Sequence, residues 1–103
     1  MINEAAYLLD EGTASADAIE TIVKESWGMD QGPFEMADRM GIDIILDWME
    51  QLQKRYGDRY KPAPIIYRLV RQGRLGVKTK QGFFSWNEDG QRADKPGHGQ
   101  EEN

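Results

Sequence analysis

Glycine and proline divide the chain into short amphipathic segments, and this spacing constrains its fold more than any other feature. Each segment ends at a glycine, the residue that most readily takes the left-handed conformation closing a helix. The closing glycines are Gly12, Gly28, Gly41 and Gly73. Pro33 and Pro64 stand where a helix begins, because the N–H that proline lacks has no helical partner there. Helices this short are marginal alone in water, so the pattern predicts an all-α domain of about five packed helices.

The stretch GPFEMADRMGID, residues 32–43, predicts a helix of two turns followed at once by another. Glu35 lies in the first turn, where the helix dipole favours an acid. Phe34, Ala37 and Met40 fall on one side at helical spacing. The spacing predicts a corner that presents an apolar edge to another group.

Two other helices carry the widest apolar faces. Ser15 is a good N-cap for the helix SADAIETIVKESWG, in which Glu20 and Lys24 are spaced to pair across one turn. Its apolar face is Ile19, Ile22, Val23 and Trp27. The fourth helix has the stripe Ile42, Ile45, Met49, Leu52 and Tyr56, widened by Leu46 and Trp48. This stripe is wider than a half-buried helix needs, so Trp48 is expected to face a second surface.

The last third of the chain predicts an arm and a tail. GRLGVKTKQGFFSW is interpreted as an ordered loop and a short extended arm that folds back onto the helices. Its aromatic residues Phe83, Phe84 and Trp86 favour a core-covering role over a ligand cage. Residues 87–103 contain no large apolar residue and are predicted to be a flexible tail or linker. The domain is therefore predicted to span residues 1–86.

Composition excludes several classes of function. The chain has no cysteine and one histidine, His98, in the predicted tail, so a metal cluster or a Ser-His-Asp triad is excluded. No apolar run reaches the length of a membrane span, and a cytoplasmic location is expected. The net charge of −5 argues against a nucleic-acid binder. Residues 59–87 nevertheless carry seven basic and no acidic side chains, which indicates either a solvated face or contact with an acidic partner or phosphorylated ligand.

The paired carboxylates do not indicate an active site. Glu35 with Asp38, and Asp43 with Asp47, have helical spacing. They are interpreted as charges of the first helical turn and not as a general acid–base pair. The residues alone thus predict a helical module for interaction or ligand contact, without catalytic machinery of its own.

Four motifs in succession resemble the C-terminal domain of the 3-hydroxyacyl-CoA dehydrogenases. They are NEAAYLLDEGTAS, GPFEMADRMGID, GDRYKPAP and GRLGVKTKQGFF, and together they cover roughly residues 2 to 86. The resemblance implies an all-α fold of the 6-phosphogluconate dehydrogenase C-terminal-like type. It also implies a role in substrate binding and dimerisation within an NAD-dependent enzyme of the fatty-acid β-oxidation type, which oxidises the 3-hydroxyl of an acyl-CoA.

In that family an N-terminal Rossmann domain binds NAD and carries the catalytic His and Glu, and this sequence contains no counterpart of it. Asn3 does not match the family's active-site Asn, which would fall upstream of Met1, so no catalytic residue, bound cofactor or metal ligand is assigned. The resemblance implies an acyl-CoA substrate, a Rossmann domain from the same or another chain, and a homodimer. The chain alone is predicted to be inactive.

The family's helix beside the acyl cleft matches one short segment here. Its residues, predicted to form an apolar wall for the substrate, are Gly32, Pro33, Phe34, Met36 and Ala37. The alternative is that these side chains belong to an ordinary core. The alternative for the whole chain is a standalone, non-catalytic helical module that binds acyl-CoA or a protein.

Overall fold

The computed structural model describes residues 1–93 as a bundle of short helices. The helices are α1 (Ile2–Asp10), α2 (Ala16–Trp27), α3 (Pro33–Met40), α4 (Ile42–Tyr56) and α5 (Pro64–Arg71). Single 3-10 turns follow α4 at Asp58–Tyr60 and precede the arm at Val77–Thr79. The prediction of an all-α domain with about five helices and a C-terminal extended arm is confirmed.

The helix ends follow the glycine and proline pattern. The Ser15 hydroxyl accepts a hydrogen bond of 3.1 Å from the Ala18 N–H at the start of α2. Gly28 closes that helix in the left-handed conformation, with φ of 63°. Gly41, with φ of 106°, is the single residue between α3 and α4. The positive φ allows the sharp change of direction that a residue with a side chain would resist.

One hydrophobic core joins the helices to the arm. Its buried residues are Ala5, Ala6, Ile19, Phe34, Ala37, Ile42, Ile45, Met49, Ala63, Ile66, Leu69, Phe84 and Trp86. α3 lies at the centre of this arrangement and packs on α1, α2 and α4. Phe34 is fully buried and stacks on Phe83 of the arm with ring centroids 4.4 Å apart. The interpretation of the aromatic residues as a core-covering arm therefore agrees with the structure.

Polar side chains on one face of α1 fasten the connection between α4 and α5. The Asn3 amide donates to the Lys61 carbonyl and accepts from the Ala63 N–H, both at 2.9 Å. Asp10 accepts a hydrogen bond of 2.8 Å from the Ile65 N–H, in the first turn of α5. The amide oxygen and nitrogen of Asn3 thus both hold this connection on α1.

The sequence predicted the face of α2 only in part. Ile19 is buried, but Ile22 and Trp27 are 60% and 71% exposed. Glu20 is 3% exposed and turns into the protein, so the predicted surface pair of Glu20 with Lys24 is not formed as such. The helix is rotated relative to the prediction because Glu20 has buried hydrogen-bond donors to meet.

Isolated antiparallel bridges join segments of the arm to one another. They join Gly76 to Gln81, Gln81 to Ser85 and Trp86 to Arg92. Residues 87–93, placed in the tail by the sequence, run back alongside the arm, and Arg92 is 8% exposed. Residues 94–103, with His98, lie outside the described part, so the prediction for them stays a prediction.

None of the helices within residues 1–93 combines the length and the apolar character that crossing a bilayer requires. The expected cytoplasmic location stays a prediction.

Candidate functional site

An apolar groove of about 700 Å³ lies between α1, α3 and α4. Four methionines, Met1, Met36, Met40 and Met49, line it together with Trp48 and Leu52. Unbranched thioether side chains adapt their shape to a ligand, which suits a surface that receives a flexible apolar group. Asn3, Glu4, Arg59 and Tyr60 supply the polar part of the lining.

α3 presents its methionines to this groove because its first turn is held from the opposite side. The Glu20 carboxylate accepts hydrogen bonds from the N–H groups of Phe34 and Glu35, at 2.9 and 3.0 Å. Burial raises the pKa of Glu20, and these two bonds oppose that rise only in part. A Cβ on Gly32 would overlap the Glu20 carboxylate. The Gly-Pro-Phe-Glu motif therefore encodes a helix start that rests on a buried acid.

The other end of α3 is joined to the arm by a second buried acid. Asp38 is 1% exposed and accepts hydrogen bonds from the Phe83 N–H at 2.9 Å and the Phe84 N–H at 3.0 Å. The Trp86 indole N–H donates to the same carboxylate at 2.8 Å. Burial raises the pKa of Asp38, against the lowering effect of these bonds and of the Arg92 charge.

The glycine-rich segment 73–82 packs directly on α3. A Cβ on Gly76 would overlap the Asp38 backbone carbonyl, and a Cβ on Gly82 would overlap the Asp38 carboxylate. These glycines therefore permit a close approach of two backbone segments and leave no cradle for a phosphate. The segment also follows a helix, whereas a nucleotide loop follows a strand.

The structure separates the five residues predicted as an apolar wall. Gly32, Pro33, Phe34 and Ala37 are buried inside the domain, as the alternative of an ordinary core expects. Met36 is half-buried and lines the groove. The four buried residues can shape such a wall only by fixing the position of Met36.

The acids interpreted as helix charges have separate structural partners. Glu35 faces Arg92 at 3.6 Å, and Asp38 holds the arm. Asp43 forms an ion pair of 2.8 Å with Lys78, which holds the pKa of Asp43 below its ordinary value. Within residues 1–93, no cluster of acidic, histidine or cysteine side chains is arranged to hold a metal ion.

The basic block does not form one patch. Arg68 approaches Asp10 at 3.5 Å, Arg59 stacks on the Tyr60 ring at 4.9 Å, and Lys78 pairs with Asp43. The charges are distributed around the connection, α5 and the arm. This distribution favours the interpretation as a solvated face.

Large apolar side chains are also exposed on α4, where Trp48 and Leu52 border the groove, and between α1 and α2. On α4, Trp48 is 51% exposed, Leu52 40% and Tyr56 58%. Between α1 and α2, a smaller groove of about 360 Å³ is lined by residues that include Leu8 and Trp27. Exposed apolar surface of this extent is typical of an interface.

Sequence reasoning missed three residues that organise the site, namely Glu20, Asp38 and Arg92. The hydrogen-bond partners of Glu20 lie 14 and 15 residues away, and those of Asp38 lie 45 to 48 residues away. Helical periodicity gives no signal for such distant partners. The one available signal was the position of Glu20 next to Ile19 on the buried side of α2.

Comparison with known proteins agrees with the motifs. Residues 1–86 match the family model for the 3-hydroxyacyl-CoA dehydrogenase C-terminal domain. A probable 3-hydroxybutyryl-CoA dehydrogenase of Bacillus subtilis is 39% identical over 89 residues, which cover 85% of this chain and 31% of that protein. A mitochondrial hydroxyacyl-coenzyme A dehydrogenase of Mus musculus is 36% identical over 86 residues, covering 81% and 27% of the two chains.

A solved structure shares the fold over the same region. The crystal structure of (S)-3-hydroxybutyryl-CoA dehydrogenase from Ralstonia eutropha superposes with a TM-score of 0.82 and 36% identity. The match covers 84% of this chain and 31% of that one. The chain spans less than a third of the length of each of these relatives.

Proposed function

Because the chain belongs to the 3-hydroxyacyl-CoA dehydrogenase family through the C-terminal domain of that family, we propose that it serves an NAD-dependent enzyme oxidising the 3-hydroxyl of an acyl-CoA to a ketone. In this proposal the helical domain contributes one wall of the acyl site and the contact between two subunits. A Rossmann domain, in the same polypeptide or in another, supplies the nucleotide site and the catalytic groups.

The methionine-lined groove is the observation that carries the substrate role. Met36 and Met40 lie one helical turn apart on α3 and face it together. The first turn of α3 cannot shift freely, because Glu20 binds two of its N–H groups. A flexible side chain on a fixed backbone suits an acyl chain, since it excludes water without demanding one ligand shape.

The described residues do not fit NAD. They contain no strand followed by a glycine-rich turn, and the space beside Gly76 and Gly82 is filled by the backbone and carboxylate of Asp38. We therefore derive no step of hydride transfer through this chain.

The exposed face of α4 supports the role in dimerisation. Trp48 and Tyr56 lie two turns apart, with Leu52 between them, on one side of the helix. An isologous contact between two copies would bury this stripe twice, which makes a symmetric dimer the simplest assembly.

Assays of NAD reduction with 3-hydroxybutyryl-CoA test the substrate role. The chain alone should give no turnover above a buffer blank. A chimera in which residues 1–86 replace the matched segment of the Bacillus subtilis relative should be active. In that chimera, Met36→Gln should raise KM about tenfold, the usual scale for polar disruption of an apolar substrate contact.

Met29→Gln is the matched control, because Met29 is half-buried but lies outside the groove. The proposal fails if Met36→Gln and Met29→Gln have the same kinetics. Acyl-CoA binding by the isolated chain, as tight as binding by the chimera, would instead favour the standalone module.

A further inference from the structure

A hairpin over residues 85–93 continues the fold past the end of the family match. The Ala93 N–H donates to the Ser85 carbonyl at 2.8 Å, and the Asn87 N–H donates to the Gln91 carbonyl at 2.7 Å. From α3, the Arg39 guanidinium donates to the Gly90 carbonyl at 3.3 Å. The segment after residue 86 is therefore bonded to the helices and to itself.

The side chain of Arg92 in this hairpin places a positive charge inside the protein. Its side chain is 7% exposed, and its Nη2 lies 3.0 Å from Oδ1 of Asp17 on α2. Its Nη1 lies 3.6 Å from Oε2 of Glu35 on α3. The guanidinium carbon lies 3.6 Å from the centroid of the Phe84 ring, the geometry of a cation–π contact. One side chain thus touches α2, α3 and the arm.

The surroundings explain why a buried cation is needed at this place. Glu20 and Glu35 are 3% and 9% exposed and lie at the same helix start, where the Glu35 charge disfavours the charged form of Glu20. Asp17 and Asp38 add two more carboxyl groups on the same side of α2 and α3. Lys24 of α2 also attracts Glu20 but is the smallest of the effects on it. Without Arg92, the acids would favour separation of the two helices.

We infer that Arg92 is a positioning residue: by joining Asp17 to Glu35 over Phe84, it holds the first turn of α3 against α2 and so places Met36 in the groove wall. The importance of that wall for substrate rests on the proposed function, whereas the placement itself does not. Met36 follows Glu35 directly on a helix of eight residues, so a shift of the first turn moves both.

The test compares Arg92→Gln and Arg92→Lys in the full chain, with methyl-labelled methionines observed by NMR. Arg92→Gln should move the Met36 methyl signal and lower the stability to urea. Arg92→Lys should restore part of both, because it keeps the charge. Arg71→Gln is the matched control, since Arg71 is exposed on α5 and should leave the Met36 signal in place.

The pH profile separates an electrostatic role from simple packing. Loss of the guanidinium matters most when its neighbours Asp17, Glu35 and Asp38 are ionised, so the stability deficit of Arg92→Gln should be larger at neutral pH than in mild acid. An equal deficit at both pH values, or an unmoved Met36 signal in a folded variant, would overturn the inference. If Arg92→Gln does not fold, Glu35→Gln removes the α3 partner and should likewise move the Met36 signal.

These readouts do not depend on enzyme activity. In the active chimera extended to residue 93, Arg92→Gln should raise KM more than it lowers kcat. Its effect should shrink when Met36 is already Gln, because both changes act on one wall. A shifted Met36 signal with unchanged KM would leave the positioning role intact and count against the proposed function alone.

Discussion

Replacing Asp38 with Asn tests whether one buried carboxylate holds the arm on the helices. The carboxylate accepts three hydrogen bonds, and two of them, from Phe84 and Trp86, reach the same oxygen. The amide oxygen of Asn can keep those two. The amide nitrogen then faces the Phe83 N–H, which loses the acceptor it has at 2.9 Å. In the variant, two hydrogen-bond donors, the new amide nitrogen and the Phe83 N–H, therefore face each other.

The size of the effect follows from this count. A buried donor without an acceptor costs about 1–3 kcal/mol, and loss of charge weakens the two retained bonds. Removing the charge has an opposite benefit, since burial raises the pKa of Asp38 and so disfavours its ionised form. The free-energy cost of the lost and weakened hydrogen bonds should exceed the gain from removing the buried charge, because three donors are affected and only one charged group is removed. We expect a net loss of about 2–3 kcal/mol, a large share of the 5–15 kcal/mol typical of a domain.

Urea unfolding followed by far-UV circular dichroism measures this loss. Asp47→Asn is the matched control, because Asp47 is exposed on α4 and bonds only to the exposed Gln51, so its effect should stay within about 0.5 kcal/mol. Hydrogen exchange should also show lower protection of the Phe83 amide in the Asp38 variant. A variant as stable as the control, with the Phe83 amide still protected, would refute the role assigned to this carboxylate.

Three further predictions concern stability and assembly. Burial raises the pKa of Glu20 and Asp38, so above the ordinary value of 4.5 for Glu these two groups hold more protons in the folded chain than in the unfolded chain; urea unfolding should show stability falling as pH rises from that value through the raised values, and a steady increase would contradict this. Gly76→Ala should cost about 3 kcal/mol or more, because its Cβ would overlap the Asp38 carbonyl, whereas Gly73→Ala, also at positive φ but in open space, should cost about 1–2 kcal/mol in the same assay. Light scattering at a protein concentration on the order of tens of micromolar should give the mass of a dimer, and Trp48→Glu should reduce it to the mass of a monomer. A monomeric parent chain would count against the α4 contact.

The helix boundaries were predictable from the sequence because they depend on neighbouring residues. Pro33 and Pro64 start α3 and α5, and Gly28 and Gly41 close α2 and α3, as the local chemistry of helix ends requires. The arm was predictable for a different reason. Phe83, Phe84 and Trp86 stand close together in the sequence, and such a cluster of large aromatic side chains favours burial.

The buried charges were not predictable, because the rules of periodicity assign acids to the surface. Glu20 was assigned to a surface pair with Lys24 and Asp38 to a helix terminus, and each instead binds N–H groups from another element. An acid becomes favourable in the interior only when the donors it meets are in place, and those donors exist only in the folded chain.

The sequence could not separate core residues from groove residues for a related reason. Helical spacing marks Phe34 and Met36 equally as apolar, but only contact with α2, α4 and the arm decides which one faces the core and which one faces the groove. The hairpin shows that local composition can also miss an ordered segment. Residues 87–93 lack large apolar side chains, so composition predicted a flexible tail, yet Arg92 enters the domain because acids from two helices already face its position. In this domain, therefore, local pattern sets where the helices begin and end, and buried ion pairs and hydrogen bonds between distant segments set how α3 presents its side chains to the groove.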